Sequence, residues 1–220
     1  MIKLSPSALN LYLECPKCFW LERARGIHRP NGPFPSLPSG IDSVLKKYFD
    51  QFRGRGELPP EIKGKVEGKL LDNPILQIWR QNLKGIRFYD EKLDAELMGA
   101  LDDCLIDGDA YIPVDYKTRG WLAKDDSHTY YQNQLNVYTL LLEKNGYKHK
   151  DFAYLIFYSP KEVLEEGRIL FNVEVRKVEV NPKVAYKVFG QAVELLRGPQ
   201  PSAHSTCQFC SWGNDFLNFE

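Results

Sequence analysis

The fold is decided by one stretch in the middle of the chain, Leu101-Asp-Asp-Cys-Leu-Ile-Asp-Gly-Asp-Ala-Tyr-Ile-Pro-Val-Asp-Tyr-Lys117. Its Asp107-Gly108 pair is one of the strongest signals for a two-residue β-hairpin loop, because both residues accept the positive φ angles of a tight turn. With this loop, Ile106 pairs with Asp109 across the hairpin. Successive side chains of a strand point to opposite faces, and paired residues share a face. The stretch therefore predicts two antiparallel strands whose faces differ in chemistry.

One face of this hairpin is mainly apolar and the other carries charges. The apolar face, expected to pack on the core, collects Leu101, Asp103, Leu105, Ala110, Ile112, Val114 and Tyr116. The other face collects Asp102, Tyr111, Pro113, Asp115 and Lys117. In this register Asp102 and Asp115 are diagonal neighbours with backbones roughly 7–8 Å apart, so their carboxylates can converge on one ion.

Two converging carboxylates and an ammonium group are the parts of a metal-assisted phosphodiester hydrolysis site. A divalent cation such as Mg²⁺ accepts oxygen ligands from one or two carboxylates together with water and phosphate. Lys117 would hold the attacking water or hydroxide and offset the charge that builds on phosphorus. The alternative is a solvated hairpin face with ordinary surface charges. A bulge at Pro113, which cannot donate a hydrogen bond to the ladder, would break the register.

Four of the five cysteines form two short pairs, Cys15-Pro-Lys-Cys18 and Cys207-Gln-Phe-Cys210. The first ten residues lack a cationic segment followed by an apolar one, which predicts a cytoplasmic protein and makes disulfides unexpected. Two residues between thiolates allow both to reach one ion, so the pairs predict a four-thiolate metal site that joins the ends of the chain. Four buried small side chains, or two unrelated pairs, remain the alternative.

The composition excludes several classes of protein. With 220 residues, 43% hydrophobic and 26% charged, the chain is typical of a globular protein. We expect one domain over 1–220, with 1–25 and 200–220 forming a cysteine-clasped subregion. No apolar run approaches the 18 or so residues that a membrane span needs. Lys+Arg and Asp+Glu both number 29, so any polyanion must bind a local patch.

The flanking sequence predicts a mixed fold, α/β or α+β, with a small sheet between helices. Helices are expected from Ser5-Pro6 to Cys15 and over 41–52, 74–83, 127–144 and 181–197. Strands are expected over 86–97, 152–158 and 168–180, and loops over 26–39 and 54–69.

Three ordered motifs carry a resemblance to a known family: Gly99-Ala-Leu-Asp102, Val114-Asp115-Tyr-Lys117-Thr118 and Gln134-Leu-Asn-Val-Tyr138. They resemble the G-x-x-D, (D/E)-x-K and Q-x-x-x-Y motifs of the PD-(D/E)XK nuclease superfamily. The match is closest to the RecB-like branch, which includes the CRISPR-associated RecB-family exonucleases. The opening segment, Ser5-Pro-Ser-Ala-Leu-Asn-Leu-Tyr-Leu-Glu-Cys15-Pro16, also resembles the start of that branch.

This resemblance implies a restriction-endonuclease-like core with a mixed sheet flanked by helices. Asp102 and Asp115 would bind Mg²⁺ or Mn²⁺, Lys117 would be the catalytic lysine, and Gln134 and Tyr138 would orient the site or contact DNA. The implied activity is a metal-dependent deoxyribonuclease, an exonuclease acting on DNA ends or single strands in repair, recombination or CRISPR-type processing. A helicase or another repair or CRISPR protein is the implied partner. The four cysteines would hold an iron–sulfur cluster by resemblance, or zinc by the ligand set alone.

The sequence also departs from the family in two places. Many RecB-like members carry a histidine ligand four residues after a glycine. Counting from Gly40, that position here is Val44, with Asp42 expected on another part of the turn. Several cluster-bearing relatives also split their cysteines one and three, not two and two, so the type of cluster does not transfer to this chain. The missing histidine favours an alternative, a weakly active or inactive nuclease-fold DNA-binding protein with a structural metal centre. A redox protein that uses the cysteine centre is a third hypothesis.

Two basic stretches are candidates for DNA contact. They consist of Lys17, Arg23, Arg25, His28 and Arg29, and of Arg53, Arg55, Lys63, Lys65 and Lys69. Phe19, Trp20 and Phe52 lie among them and would stack on bases of a single strand. Among the histidines only His204 lies near a cysteine pair. The sequence contains neither a Gly-x-x-x-x-Gly-Lys-Ser/Thr phosphate loop nor a Gly-x-Ser-x-Gly nucleophile motif.

Overall fold

The computed structural model describes residues 1–30, 32 and 35–217, with residues 216 and 217 described by their backbone only. This part of the chain forms eight β-strands and seven α-helices. The strands are β1 (Ile2–Leu4), β2 (Lys69–Leu70), β3 (Ile86–Asp90), β4 (Ala95–Gly99), β5 (Asp103–Asp107), β6 (Ala110–Thr118), β7 (Phe152–Val163) and β8 (Ile169–Glu179). The helices are α1 (Pro6–Glu14), α2 (Pro16–Arg25), α3 (Ser36–Arg53), α4 (Ile75–Trp79), α5 (Gln132–Lys144), α6 (Pro182–Arg197) and α7 (Gln208–Leu217).

The strands form two mixed sheets. The larger sheet has the order β2-β5-β6-β7-β8, in which only β6 and β7 run parallel. The smaller has the order β1-β4-β3, with β1 parallel to β4. A parallel pair needs a long crossover, and α5 makes the one between β6 and β7. The mixed α/β prediction is confirmed, and the sheets and flanking helices are consistent with a restriction-endonuclease-like fold.

The predicted hairpin forms, but its register was wrong by two residues. Gly108 and Asp109 make the loop, so Asp107 pairs with Ala110 and Cys104 with Pro113. Gly108 adopts φ +61°, which glycine reaches without strain and which favours it as the first loop residue. The side-chain period of a strand is two, so a two-residue shift keeps every paired residue on its predicted face. The β5–β6 ladder contains no bulge at Pro113.

Both faces of the hairpin are buried, each under a different layer. Leu105, Ile112, Val114 and Tyr116 share one cluster with Phe49 of α3. Leu101 was predicted on that face but belongs to the other cluster. It precedes β5, so the alternation of the strand does not extend to it. The second cluster packs against α5, whose residues from Leu135 to Leu142 are all buried.

Each predicted helix corresponds to an observed one, but several of the predicted ends are displaced. Ser5 caps α1 by accepting a hydrogen bond from the Ala8 amide at 3.3 Å. Helix α3 begins at Ser36, inside the predicted loop over 26–39, and α2 was not predicted at all. The predicted helix over 127–144 begins with a 3₁₀ turn, Ser127–Tyr131. Among the described residues, no helix has the length and apolar character needed to cross a bilayer.

Candidate active site and four-cysteine centre

Asp115 lies in β6, which has a hydrogen-bonded strand on each side, and its side chain is fully buried. Asp102 immediately precedes β5, and its Oδ2 accepts a hydrogen bond from the Tyr116 amide at 3.3 Å. Continued by one pair, the observed register places Asp102 directly opposite Asp115, closer than the predicted diagonal. The fold therefore brings the two carboxylates together, with the Asp102 side chain 19% exposed.

The buried Asp115 carboxylate has few partners. Its Oδ2 pairs with the Lys117 ammonium at 2.5 Å, whereas its Oδ1 has no hydrogen-bond donor among the described residues. Burial, and then the charge of Asp102, raise the pKa of Asp115 to about 8. Two adjacent carboxylates in a buried site cannot both ionise without a compensating cation. A divalent cation would relieve this repulsion, and oxygen donors are what Mg²⁺ or Mn²⁺ accepts.

Lys117 extends from β6 beside Asp115, as predicted. Burial disfavours its charged form, but the charges of Asp115 and Asp102 outweigh that effect and raise the pKa of Lys117. Its Nζ also lies 4.8 Å from the centre of the Tyr131 ring. Because its pKa is raised, the Lys117 ammonium stays protonated. Solvent reaches it, since the side chain is 19% exposed.

Gln134 and Tyr138 lie one turn apart on α5, and the Gln134 Nε2 donates to the Tyr138 hydroxyl at 2.6 Å. Burial raises the pKa of Tyr138 well above its ordinary value, and the nearby charges of Asp115 and Asp102 add to this. Gly99 allows the close approach of α5, because a Cβ there would lie 3.0 Å from Leu141 and 3.1 Å from the Tyr138 ring. Tyr138 is thus both a core residue and a neighbour of the carboxylate pair.

Two charged residues of α3 were missed by the sequence analysis. The Lys46 Nζ lies 2.7 Å from Oδ2 of Asp42 and 2.7 Å from Oδ1 of Asp102. Asp42, expected on another part of the turn from Val44, is linked to Asp102 through Lys46, which lies one helical turn further on. Val44, where relatives carry histidine, is 64% exposed. The Asp42–Lys46 spacing of four residues was the signal in the sequence.

A buried network of charged side chains surrounds Asp103 of the hairpin. Asp103 is fully buried and accepts hydrogen bonds from Arg53, Arg80 and the Tyr116 hydroxyl, at distances between 2.6 and 2.9 Å. The Arg80 Nε also donates to the main-chain carbonyl of Asp102 at 2.8 Å. The network explains why one acidic residue lies on the apolar face. It also fixes the backbone that carries Asp102.

The four cysteines of the two pairs come together, as predicted. Their Sγ atoms all lie within 4.8 Å of one another, and three of the distances are 3.5, 3.6 and 3.9 Å. Cys15 and Cys18 lie at the α1–α2 junction, and Cys207 and Cys210 lie at the start of α7. The group joins the two ends of the described chain. His204 does not belong to it, and its Nδ1 is 2.9 Å from the Thr206 hydroxyl.

Nearly the whole chain, and not only the hairpin, matches a known family. The sequence model of the PD-(D/E)XK nuclease superfamily matches residues 3–214, almost the whole chain. The chain belongs to the PD-(D/E)XK nuclease superfamily. Members of this superfamily are generally nucleases that use divalent metals. A comparison with curated proteins gave no significant match.

Two of the three aromatic residues predicted to stack on bases are buried in this nuclease-superfamily chain, as is one of the predicted basic residues, Arg53. Phe19 is fully buried, and Trp20 is buried with its Nε1 donating to the Gly198 carbonyl. Neither residue is free to stack on a base, and Arg53 is held in the network around Asp103. Large exposed aromatic side chains lie instead between β6 and α5, where Trp121 is 85% and Tyr130 71% exposed.

Proposed function

We propose that this protein is a metal-dependent deoxyribonuclease of the RecB-like type that hydrolyses phosphodiester bonds with Mg²⁺ or Mn²⁺. Asp102 and Asp115 would hold the ion, and Lys117 would position the nucleophile. The observation that carries the proposal is the fully buried Asp115 carboxylate, which lies beside Asp102 and pairs with Lys117 through Oδ2, while its Oδ1 has no hydrogen-bond partner among the described residues. Membership of a nuclease superfamily supports the reaction class.

In this proposal each side chain has a definite task. The bound cation would polarise a water and a phosphate oxygen. Lys117, kept protonated by the two carboxylates, would offset the negative charge that builds on the phosphate. Gln134 would hold the Tyr138 hydroxyl in place through the 2.6 Å hydrogen bond, and Tyr138 would limit water access behind the carboxylates. Arg80 would keep the Asp102 backbone in position.

We propose DNA ends or single strands as the substrate, and exonucleolytic action in repair, recombination or CRISPR-type processing. Trp121 and Tyr130 support this proposal, because exposed aromatic rings bind unpaired bases by stacking. Tyr131, next to Tyr130, contacts Lys117, so the aromatic segment adjoins the reacting group. A helicase or other repair or CRISPR protein that exposes single strands remains the proposed partner.

We propose that the four-cysteine centre is structural and clasps α1, α2 and α7 together. The resemblance implies an iron–sulfur cluster, whose four thiolates are shared among two or four iron atoms and so do not all surround one ion. One tetrahedral zinc with bonds of about 2.3 Å instead places its sulfurs roughly 3.8 Å apart. Three of the Sγ separations are 3.5, 3.6 and 3.9 Å and all four Sγ atoms lie within 4.8 Å of one another, which supports a single ion, so we favour zinc as the occupant. Elemental analysis separates the two, since a cluster adds iron and visible absorbance.

A second candidate is a nuclease-fold protein that binds DNA without cutting it. The observation in its favour is that the position of the family histidine is Val44, while the Lys46 ammonium lies against Asp102. A redox function of the cysteine centre is a third candidate, for which iron would be the first requirement. In all three cases we propose one domain over 1–220 and a cytoplasmic location.

A cleavage assay decides between cutting and binding alone. End-labelled linear single-stranded and duplex DNA is incubated with the purified protein and Mn²⁺, and the products are sized. We expect shortening from labelled ends, lost in Lys117→Ala and retained in Lys161→Ala, an exposed lysine of β7. Activity equal in all three proteins would mean a contaminant or a different site. DNA binding without cleavage by the wild type would favour the second candidate.

A further inference from the structure

Helix α3 places a second ammonium, that of Lys46, against the proposed metal ligand Asp102, and through it links a third carboxylate to the site. The Lys46 Nζ lies 2.7 Å from Asp42 Oδ2 and 2.7 Å from Asp102 Oδ1, so one cation bridges two acidic side chains from different parts of the chain. Its side chain is 21% exposed, and those of Asp42 and Asp102 are 36% and 19% exposed. The bridge is therefore a partly buried link between α3 and the hairpin.

The charges of the whole group favour exchange of this ammonium for a metal ion. Asp42, Asp102 and Asp115 together carry three negative charges when ionised, and Lys46 and Lys117 carry two positive ones. Oδ1 of the fully buried Asp115 has no hydrogen-bond partner among the described residues, and only Oδ2 pairs with Lys117, so one buried carboxylate oxygen is left for a further cation. An ammonium 2.7 Å from an Asp102 oxygen occupies the space in which a cation would approach that oxygen. Lysine has a flexible four-carbon stem, so it can leave without backbone movement.

We propose that Lys46 is a resident placeholder cation, which holds Asp42 and Asp102 together in the metal-free protein and is displaced when a divalent ion binds. Asp42 then becomes the third carboxylate of the centre. This inference rests on the proposed function, since it assigns new residues to the same metal site. Lys46 is then a positioning residue, which acts on the site through Asp42 and Asp102. Its ammonium competes with the metal ion for the same carboxylate oxygens.

Two other roles for Lys46 give different results. A permanent phosphate-binding lysine would leave metal affinity unchanged when it is removed. A lysine that only orders the carboxylates would weaken metal binding when removed, because Asp42 and Asp102 would repel each other and separate. Only a placeholder that must be displaced makes metal binding tighter when its charge is deleted.

The test is a Mn²⁺ titration of the full chain without DNA, with free Mn²⁺ measured by electron paramagnetic resonance. We expect Lys46→Met to bind Mn²⁺ more tightly, on the order of tenfold, because an ammonium no longer competes for Asp102. Lys46→Arg keeps the charge and should not show this gain. The matched control is Lys47→Met, the exposed neighbour on the same helix, which should bind as the wild type does. Asp42→Asn should bind more weakly.

Each result decides a specific part of the inference. Unchanged or weaker Mn²⁺ binding in Lys46→Met overturns the placeholder role, and unchanged binding in Asp42→Asn overturns the ligand role of Asp42. If Lys46→Met does not fold, Lys46→Gln is titrated instead, and failure of both to fold identifies a structural ion bridge and overturns the inference. A wild type with no Mn²⁺ site that Asp115→Asn abolishes contradicts the proposed function itself, which is a separate outcome.

Discussion

The Asp102–Asp115–Lys117 centre and the four-cysteine centre both collect candidate metal ligands, but the chain assembles them over different ranges. The first lies in one hairpin, where strand register alone brings an acidic residue before β5 next to Asp115 of β6. The second needs α7 to pack on the α1–α2 junction, so it depends on the whole fold. The comparison indicates that the hairpin centre can be changed with little effect on the fold, whereas the cysteine centre cannot.

The largest expected effect is on cleavage, at the hairpin centre. Replacing Lys117 with Ala removes the charge that would stabilise the transition state, and we expect the rate constant to fall on the order of 10³-fold. The melting temperature and the cysteine-bound metal should change little. Single-turnover cleavage with Mn²⁺, together with a melting curve, checks both statements. A parallel loss of activity and stability would show that the two regions are not separable.

The next largest effect is on stability, at the cysteine centre. The double substitution of Cys207 and Cys210 with Ser should remove the bound metal and lower the free energy of unfolding by about 3 kcal/mol or more, because metal binding is coupled to folding. For a chain of this size that corresponds to a melting temperature lower by roughly 10 °C. Cys104→Ala is the control, since this buried cysteine lies outside the four-sulfur group and should keep the metal content unchanged. Unchanged melting and metal content in the double variant would contradict a structural role.

A third effect is the pH dependence of stability that Asp115 gives to the hairpin centre. Burial and the charge of Asp102 raise the pKa of Asp115 from 3.8 to about 8. The folded state therefore binds a proton that the unfolded state has released. The stability contributed by this residue is full below about pH 4 and is lost as the pH rises towards 8.

In the metal-free hairpin centre, wild-type melting temperature should fall between pH 5 and 8 relative to Asp115→Asn. Because the metal replaces this proton, Mn²⁺ should bind more tightly as the pH rises, by at most about tenfold per unit. Melting curves and Mn²⁺ titrations over this range check the prediction. Parallel pH profiles for the wild type and Asp115→Asn would show that Asp115 titrates elsewhere.

The smallest expected effect concerns the aromatic segment between β6 and α5. Trp121→Ala should weaken binding to a single-stranded oligonucleotide by roughly fivefold or more, the loss of one stacked base. Trp212→Ala, at an exposed tryptophan beside the cysteine centre, serves as the comparison and should bind as the wild type does. Fluorescence anisotropy with a labelled oligonucleotide measures both. Equal losses in the two variants would place the DNA path at the cysteine centre as well.

Much of the hairpin centre could be predicted from the sequence because strand periodicity is local. An error of two residues in the register left Asp102 and Asp115 on the same face, since the side-chain period is also two. The (D/E)-x-K spacing placed Lys117 correctly for the same reason. The cysteine group was predictable from ligand spacing, although nothing local shows that α7 packs against α2.

What could not be predicted depends on packing between distant elements. Asp103 was the exception on an apolar face, and its partners Arg53 and Arg80 lie 50 and 23 residues away. Lys46 reaches Asp102 only because α3 packs on β6. The sequence predicts that Phe19 and Trp20 stack on DNA, yet both side chains are buried. In each case the sequence does not show which helix face packs against which distant element.

The most direct test of the account is the position of Mn²⁺ in a crystal of the wild-type protein, located by its anomalous scattering. We expect an anomalous peak within bonding distance, roughly 2.0–2.6 Å, of carboxylate oxygens of both Asp102 and Asp115, with the Lys117 ammonium nearby but not bound to the ion. Mn²⁺ absent from this pair at saturating concentration, or bound only at the four cysteines, would contradict the assignment of the hairpin as the catalytic centre.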